Sequence, residues 1–233
     1  AVIDYVAFMT TGNAADFGDL TSARKGAGAS SNSTRAIWWG TRGSNVIDYI
    51  QMASLGNGTD FGDMVDARDY AGTPASPTRA LKGGGISPGL VNTIDQVQFA
   101  TTGNATDFGN LSSSRAGVSG CSSSTRGSFG GGYTPTYQTT IDYVEIASTG
   151  NAIDYGDLTT ATVSCGGTSS SVRGVFGGGQ NPSNTNTIEY FSIPNGGTAT
   201  DFGDLTVART AIGAGSNSHG GLNDGNQGVV DTS

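Results

Sequence analysis

Only a few side chains in this sequence have the types and spacing for chemistry. One histidine, His219, in 233 residues excludes a His-rich copper or zinc centre. It also leaves a Ser-His-Asp triad a single base. Cys121 and Cys165 stand at different places in successive segments, unlike a repeated disulfide or metal framework, so both are expected to be small buried side chains. Two carboxylates flanking a sugar would suffice for a glycosidase. Nearly every acid, however, belongs to a series that recurs five times. Asp4, Asp48, Asp95, Asp142 and Glu189 form one series, and the D-[FY]-G-[DN] blocks at Asp16, Asp60, Asp107, Asp154 and Asp201 form another. Asp16/Asp19 and Asp201/Asp204 bracket a glycine, but no copy has the D-x-[DN]-x-[DN]-G spacing of a calcium loop. Asp beside Gly is turn chemistry, so neither metal nor cofactor is expected. Arginines recur likewise at Arg35, Arg79, Arg126 and Arg173, with His219 in the fifth place, and at Arg24, Arg68, Arg115 and Arg209, with Thr162 departing. Fivefold arginine facing fivefold acid could form a ring-shaped binding site. A residue that every copy carries serves every copy, so ion pairs between strands or between copies are the expected role.

The elements that position these residues are themselves repeated. An Ile-Asp-Tyr-type triplet starts at Ile3, Ile47, Ile94, Ile141 and Ile188, spaced by 44 residues once and 47 three times. That period is one propeller blade and exceeds that of most helical solenoids. Composition agrees with an all-β chain: there are 39 Gly and only 13% charged residues, and no window shows helical apolar spacing. The copy from Arg115 to Leu158 reads as four strands, 117–123, 126–131, 140–147 and 153–158, each bounded by Gly, Ser, Asn or Pro. Four strands per repeat, arranged radially, make a blade. The chain opens on a third strand (2–9) and a fourth (16–20), and finishes on a first (212–217) and a weaker second (219–223). Together these halves complete one blade. The expectation is a single domain over residues 1–233, a five-bladed propeller of four-stranded antiparallel blades, one of them closed by the N- and C-terminal halves. A competing reading has Val229-Val230-Asp231 start a further strand of a longer array. The start at Ala1-Val2, without Met, is that of a processed product or a piece of a longer protein.

The order of an arginine, a strand of small residues, a strand ending in Gly-Gly, a loop, a strand with a central Tyr and an aromatic strand resembles the kelch repeat. The glycine pairs are Gly83-Gly84, Gly130-Gly131 and Gly177-Gly178. The tyrosines are Tyr5, Tyr49, Tyr143 and Tyr190, with Gln96 departing. The family's last-strand Trp falls on Phe17, Phe61, Phe108, Tyr155 and Phe202, which keep an aromatic. The wording IDYVEIASTGNAIDYGDLT also resembles repeats of structural and fibre proteins of tailed phages, marine ones especially. The first resemblance implies fold alone, since such propellers host enzymes and binders alike. The second implies a virion or extracellular location, with other virion proteins or host-surface glycans as partners and several copies on one particle.

Net charge and hydropathy narrow the partners further. At −8, with eleven basic residues scattered along the repeats, the chain lacks the basic stripe that phosphate binding needs. No apolar stretch approaches 18 residues, so no insertion into a membrane is expected. Function is therefore sought where the copies disagree. Trp38 takes a core-like place shared with Lys82, Phe129, Phe176 and Leu222, whereas Trp39 stands where Gly83, Gly130 and Gly177 stand elsewhere. A Trp at a glycine position is expected to project and, beside Arg42, to stack on a sugar or enter a protein contact. Tyr133 and Tyr137 lie in the most aromatic of the loops between second and third strands and are candidates of the same kind. The alternative is that these aromatics cover the blade edge. The resulting expectation is a non-enzymatic structural or adhesive module, with a free lectin-like sugar binder second and a glycoside-cleaving enzyme third.

Overall fold

A computed structural model describes residues 1–216 as an all-β chain with no helix. The predicted end of the first terminal strand at Asn217, the second strand 219–223, His219, Leu222 and Val229–Asp231 lie outside the described residues. Among the described residues nineteen strands form antiparallel sheets in chain order. β1 (Val2–Tyr5) and β2 (Ala15–Asp19) make a two-stranded sheet. β3 (Ala29–Ser31), β4 (Arg35–Trp38), β5 (Val46–Gln51) and β6 (Thr59–Asp63) make a four-stranded one, and β7 (Arg79–Gly83), β8 (Thr93–Gln98) and β9 (Thr106–Asn110) a three-stranded one. β10 (Ser119–Ser122) and β11 (Arg126–Gly130) lead into a short hairpin, β12 (Tyr133–Thr134) and β13 (Thr136–Tyr137), before β14 (Thr140–Glu145) and β15 (Ile153–Asp157) complete the next four-stranded sheet. β16 (Gly166–Ser169), β17 (Arg173–Gly177), β18 (Thr187–Ser192) and β19 (Gly196–Asp204) make the last.

The strands expected between Arg115 and Leu158 all form, each ending one to three residues short of its predicted limits. The three-stranded sheet has a local cause. Its missing first strand is the segment around Thr73-Pro74, where proline removes a ladder donor; only the bridges Gly72 to Gly83 and Ala75 to Ala80 remain. Among the described residues no strand pairing joins the first sheet to the last. Residues 212–216 do reach the last sheet, where the Ser216 hydroxyl donates to the Ser169 carbonyl.

From the second sheet on, the third strand buries its acid and the apolar residue two places later and leaves the Tyr or Gln between them half-covered, as in β14, where Ile141, Asp142 and Val144 are buried; in β1 only Ile3 is buried. The fourth strand carries a bulge at its aromatic: Ile47 faces Gly62 and Asp48 faces Asp60, so Phe61 is the extra residue. Gly62 has φ +143, and a Cβ there would lie 2.3 Å from the Gly103 carbonyl oxygen of the next sheet. That approach requires glycine. The Asp of four of the five blocks caps the bulge: the Gly62, Gly109, Gly156 and Gly203 N–H groups donate to the carboxylates of Asp60, Asp107, Asp154 and Asp201 at 2.8–3.1 Å. These acids make the short-range bond to backbone that Asp beside Gly predicts, but at a bulge within the fourth strand and not in a turn between strands.

Successive sheets join by contacts that recur at most joints. At the first-strand edge the Ser122 N–H donates to the Ser169 hydroxyl, which donates back to the Ser122 carbonyl. One residue per copy there is left-handed: Gly26, Tyr70, Gly117, Ser164 and Ala211 have φ of 54–68°. Gly117, Ser164 and Ala211 each donate to the carbonyl of their counterpart one copy earlier. At the fourth-strand edge the carbonyls of Phe17, Phe61 and Phe108 accept from Gly56, Gly103 and Gly150. Aromatic rings fill the space between. Phe129 packs on Gly83 and Phe176 on Gly130, and a Cβ on either glycine would come within 2.6 Å of the ring. Apolar clusters therefore form between neighbouring sheets; one contains Ile37, Phe61, Val97 and Phe99, another Leu81, Phe108, Phe129 and Ile146.

Candidate functional site

The charged residues that repeat converge on the joints between sheets. The segment leading from one sheet into the next turns its hydroxyl and its arginine onto the acid of the following third strand. Asp48 accepts from the Thr21 N–H and hydroxyl and from Arg24 at 2.6 Å. Asp142 accepts from the Ser112 N–H and hydroxyl and from Arg115 at 3.0 Å. Asp95 pairs with Arg68 at 2.9 Å, Val65 having replaced the hydroxyl residue. Where Thr162 replaces arginine, the longer Glu189 accepts from the Thr159 N–H and hydroxyl. Arg68 spends its remaining donors on the carbonyls of Gly84, Lys82 and Thr93. Both side chains of the Arg68–Asp95 and Arg115–Asp142 pairs are fully buried. Burial raises the Asp95 carboxyl above its ordinary range, with Arg68 opposing, and lowers the Arg115 guanidinium. These acids lie beyond the reach of a solvent-borne ligand.

The other arginine series does not pair with those acids. Arg35, Arg79 and Arg126 donate to the carbonyls of Phe99, Ile146 and Ile193 in the following sheet. Their guanidinium groups lie over Tyr49, Phe108 and Tyr143, with Arg173 over Tyr190 at 4.7 Å. The expected arginine–acid pairing thus belongs to Arg24, Arg68 and Arg115, because the linking segment, and not the start of the second strand, faces the third-strand carboxylate. Arg126 adds a half-exposed pair with Glu145 that raises its pKa.

Trp39 does not project. It is 0% exposed, its indole N–H donates to the Ser30 hydroxyl, and it packs with Ile37, Phe61 and Phe99. The reason is an exchange of volume across the joint. At later joints a glycine in one sheet receives the aromatic of the next, Gly83 with Phe129 and Gly130 with Phe176. At this joint the earlier sheet carries the aromatic, Trp39, and the next sheet has Lys82 where Phe129 and Phe176 stand. Lys82 occupies the core-like column of Trp38, Phe129 and Phe176. It is 1% exposed, and its ammonium donates to the carbonyls of Gly40 and Arg68 at 2.7 and 2.8 Å, with the Met64 sulfur at 3.2 Å. Desolvation, assisted by the Arg68 charge, lowers its pKa to about 7.

The remaining candidates are at the surface. Arg42 is exposed and pairs with Asp69 at 3.0 Å. Tyr133 and Tyr137 face each other across the β12–β13 hairpin, ring centroids 5.6 Å apart and edge to face, with Tyr133 41% exposed. The structure does not bring them together with Trp39. Equivalent loops elsewhere close as the bridges Thr41 to Ser44, Ile86 to Leu90 and Gln180 to Asn184, none with an aromatic pair. Cys121 and Cys165 are buried free thiols, and burial raises both, Cys165 to about 11. Among the described residues no cluster of three or more His, Cys, Asp or Glu is placed to hold a metal ion. No protein-family model matches this chain, and no curated protein matches it.

Proposed function

We propose that this chain is a non-enzymatic structural or adhesive module of a virus particle, such as a fibre, tail or capsid-decorating protein. In this reading it is a five-bladed propeller, located on the virion or outside the cell, whose loops contact other virion proteins or host-surface glycans. The observation that carries the proposal is the division of labour among its residues. The Asp48, Asp95, Asp142 and Glu189 carboxylates and the Arg24, Arg68 and Arg115 side chains are buried in joints, while the Tyr133–Tyr137 pair stands on a hairpin that, among the described residues, one copy alone possesses. A rigid frame displaying such a loop suits weak contacts multiplied by copy number on a particle. Resemblance of the repeat wording to phage structural proteins points the same way. Glycan-array binding and copurification with particles test the role. Retention by particles or glycans that is lost in Tyr133→Ala/Tyr137→Ala supports it. Saccharide turnover abolished by changing one non-repeated acid would replace it with the glycosidase reading.

A further inference from the structure

The joint between sheets is built from recurring contacts, and the two ends of the described chain carry its unmatched halves. One half is β19 with the segment behind it. Phe202 is 57% exposed, whereas Phe17, Phe61 and Phe108 at the same place are 8%, 2% and 3% exposed. No following hairpin reaches the Phe202 and Asp204 carbonyls among the described residues, although the Asp19, Asp63 and Asn110 carbonyls accept from Gly58, Ala105 and Ala152. Arg209, the last of the linking arginines, is exposed and has no carboxylate partner among the described residues.

The other half is the β1–β2 hairpin. Its turn, Gly12-Asn13-Ala14, repeats Gly56-Asn57-Gly58 and Gly103-Asn104-Ala105, whose Asn side chains accept from the Asp19 and Asp63 N–H groups at 3.0 Å. All three residues of the N-terminal turn are exposed. Phe8 is 88% exposed, while its counterparts Phe99, Ile146 and Ile193 are each 1%; the fourth counterpart, Met52 in the sheet that follows this hairpin, is 40% exposed. Asp4, counterpart of the buried Asp48, Asp95 and Asp142, is exposed and unpaired among the described residues.

We infer that these halves are one interface: the β1–β2 hairpin seats on β19 of the same chain and closes the ring. The inference rests on the five-bladed reading and adds its seam. The Asp4 carboxylate accepts from the Thr206 N–H and hydroxyl and from Arg209, as Asp48 does from Thr21 and Arg24. Gly12 and Ala14 donate to the Phe202 and Asp204 carbonyls, Asn13 accepts from the Asp204 N–H, and Arg173 donates to the Phe8 carbonyl. The occupant is the chain's own hairpin and not a second copy's, because tethering holds the two faces at an effective concentration on the order of millimolar. Closure also removes two open sheet edges.

The test uses the full chain with Asn13→Cys and Asp204→Cys, Cys121 and Cys165 being buried, and a short bis-maleimide at micromolar protein. The expected result is a cross-linked monomer whose yield does not change with protein concentration. Cross-linked dimers that grow with concentration would assign the interface to a second copy and overturn the same-chain seam, and absence of cross-link would overturn it outright. D4R and R209D supply a second readout. Each alone is expected to lower Tm by about 5 °C or more and the double swap to restore most of it; unchanged Tm in both singles refutes the pairing. Neither measurement uses particles or glycans, so failure of the seam is distinguishable from failure of the adhesive role.

Discussion

The Trp39–Lys82 exchange makes a prediction that reverses the usual expectation for two core substitutions. Trp39→Gly removes a fully buried indole and the bond its N–H donates to the Ser30 hydroxyl, which keeps its own bond to the Thr73 carbonyl. Emptying such a site costs roughly 3–5 kcal/mol. Lys82→Phe places a ring where the next joint keeps one, but against the indole that already fills the space, and overpacking costs roughly 1–3 kcal/mol. If the two costs added, the double variant would lose about 4–8 kcal/mol, the sum of those ranges. Together, however, the changes recreate the Gly–Phe pairing of Gly83 with Phe129, so the double variant is expected to be more stable than Trp39→Gly alone, with a coupling of at least about 2 kcal/mol. Urea denaturation of the four proteins, read by fluorescence of Trp38 and by circular dichroism, measures it. Additive losses would refute the exchange of volume and return Trp39 to an independent role.

Further predictions follow from single sites. Lys82, facing Arg68, Asp95, Asp69 and Arg24, has its folded pKa lowered from 10.5 to about 7, so the unfolded chain binds more protons between these values. Stability therefore rises with pH through that window, by about 1.5 kcal/mol between pH 7 and 8.5; above pH 9 the raised thiols of Cys121 and Cys165 act in the opposite direction. Denaturant midpoints should show the rise in the wild type and lose it in Lys82→Met. Gly109→Ala would set a Cβ 2.2 Å from the Gly150 carbonyl oxygen at φ +150. A loss of roughly 1–3 kcal/mol is expected from backbone strain and the displaced neighbour, seen as a lower Tm. Tyr133→Ala/Tyr137→Ala should change stability by no more than about 1 kcal/mol, because both rings stand on an exposed hairpin, while abolishing retention on particles or glycans.

What was legible in the sequence was whatever repeats. The strand Thr140–Glu145 and its neighbours follow from alternation and from bounding glycines, and the burden of the Asp154-type acids follows from Asp beside Gly. Pairing partners were less accessible, because which arginine meets Asp142 depends on how the linking segment crosses the sheet, a tertiary fact absent from local spacing. Trp39 illustrates a deeper limit. Read against its own column of glycines it has no room, and only the joint shows that Lys82 in the neighbouring sheet has vacated it. A sequence signal did exist, since Lys82 is the one charged residue in the column Trp38, Lys82, Phe129, Phe176. Two departures in adjacent copies at adjacent columns are a pair.

The central claim is that repeated charges hold one sheet to the next. Arg68 and Asp95, both fully buried, test it most directly through a double-mutant cycle of Arg68→Met and Asp95→Leu under chemical denaturation. Each single change should cost about 3–5 kcal/mol by leaving the other charge buried without its partner, and the apolar double should recover most of that loss. Single changes costing less than about 0.5 kcal/mol, with no coupling between them, would contradict the account and return this arginine–acid series to the search for a binding site.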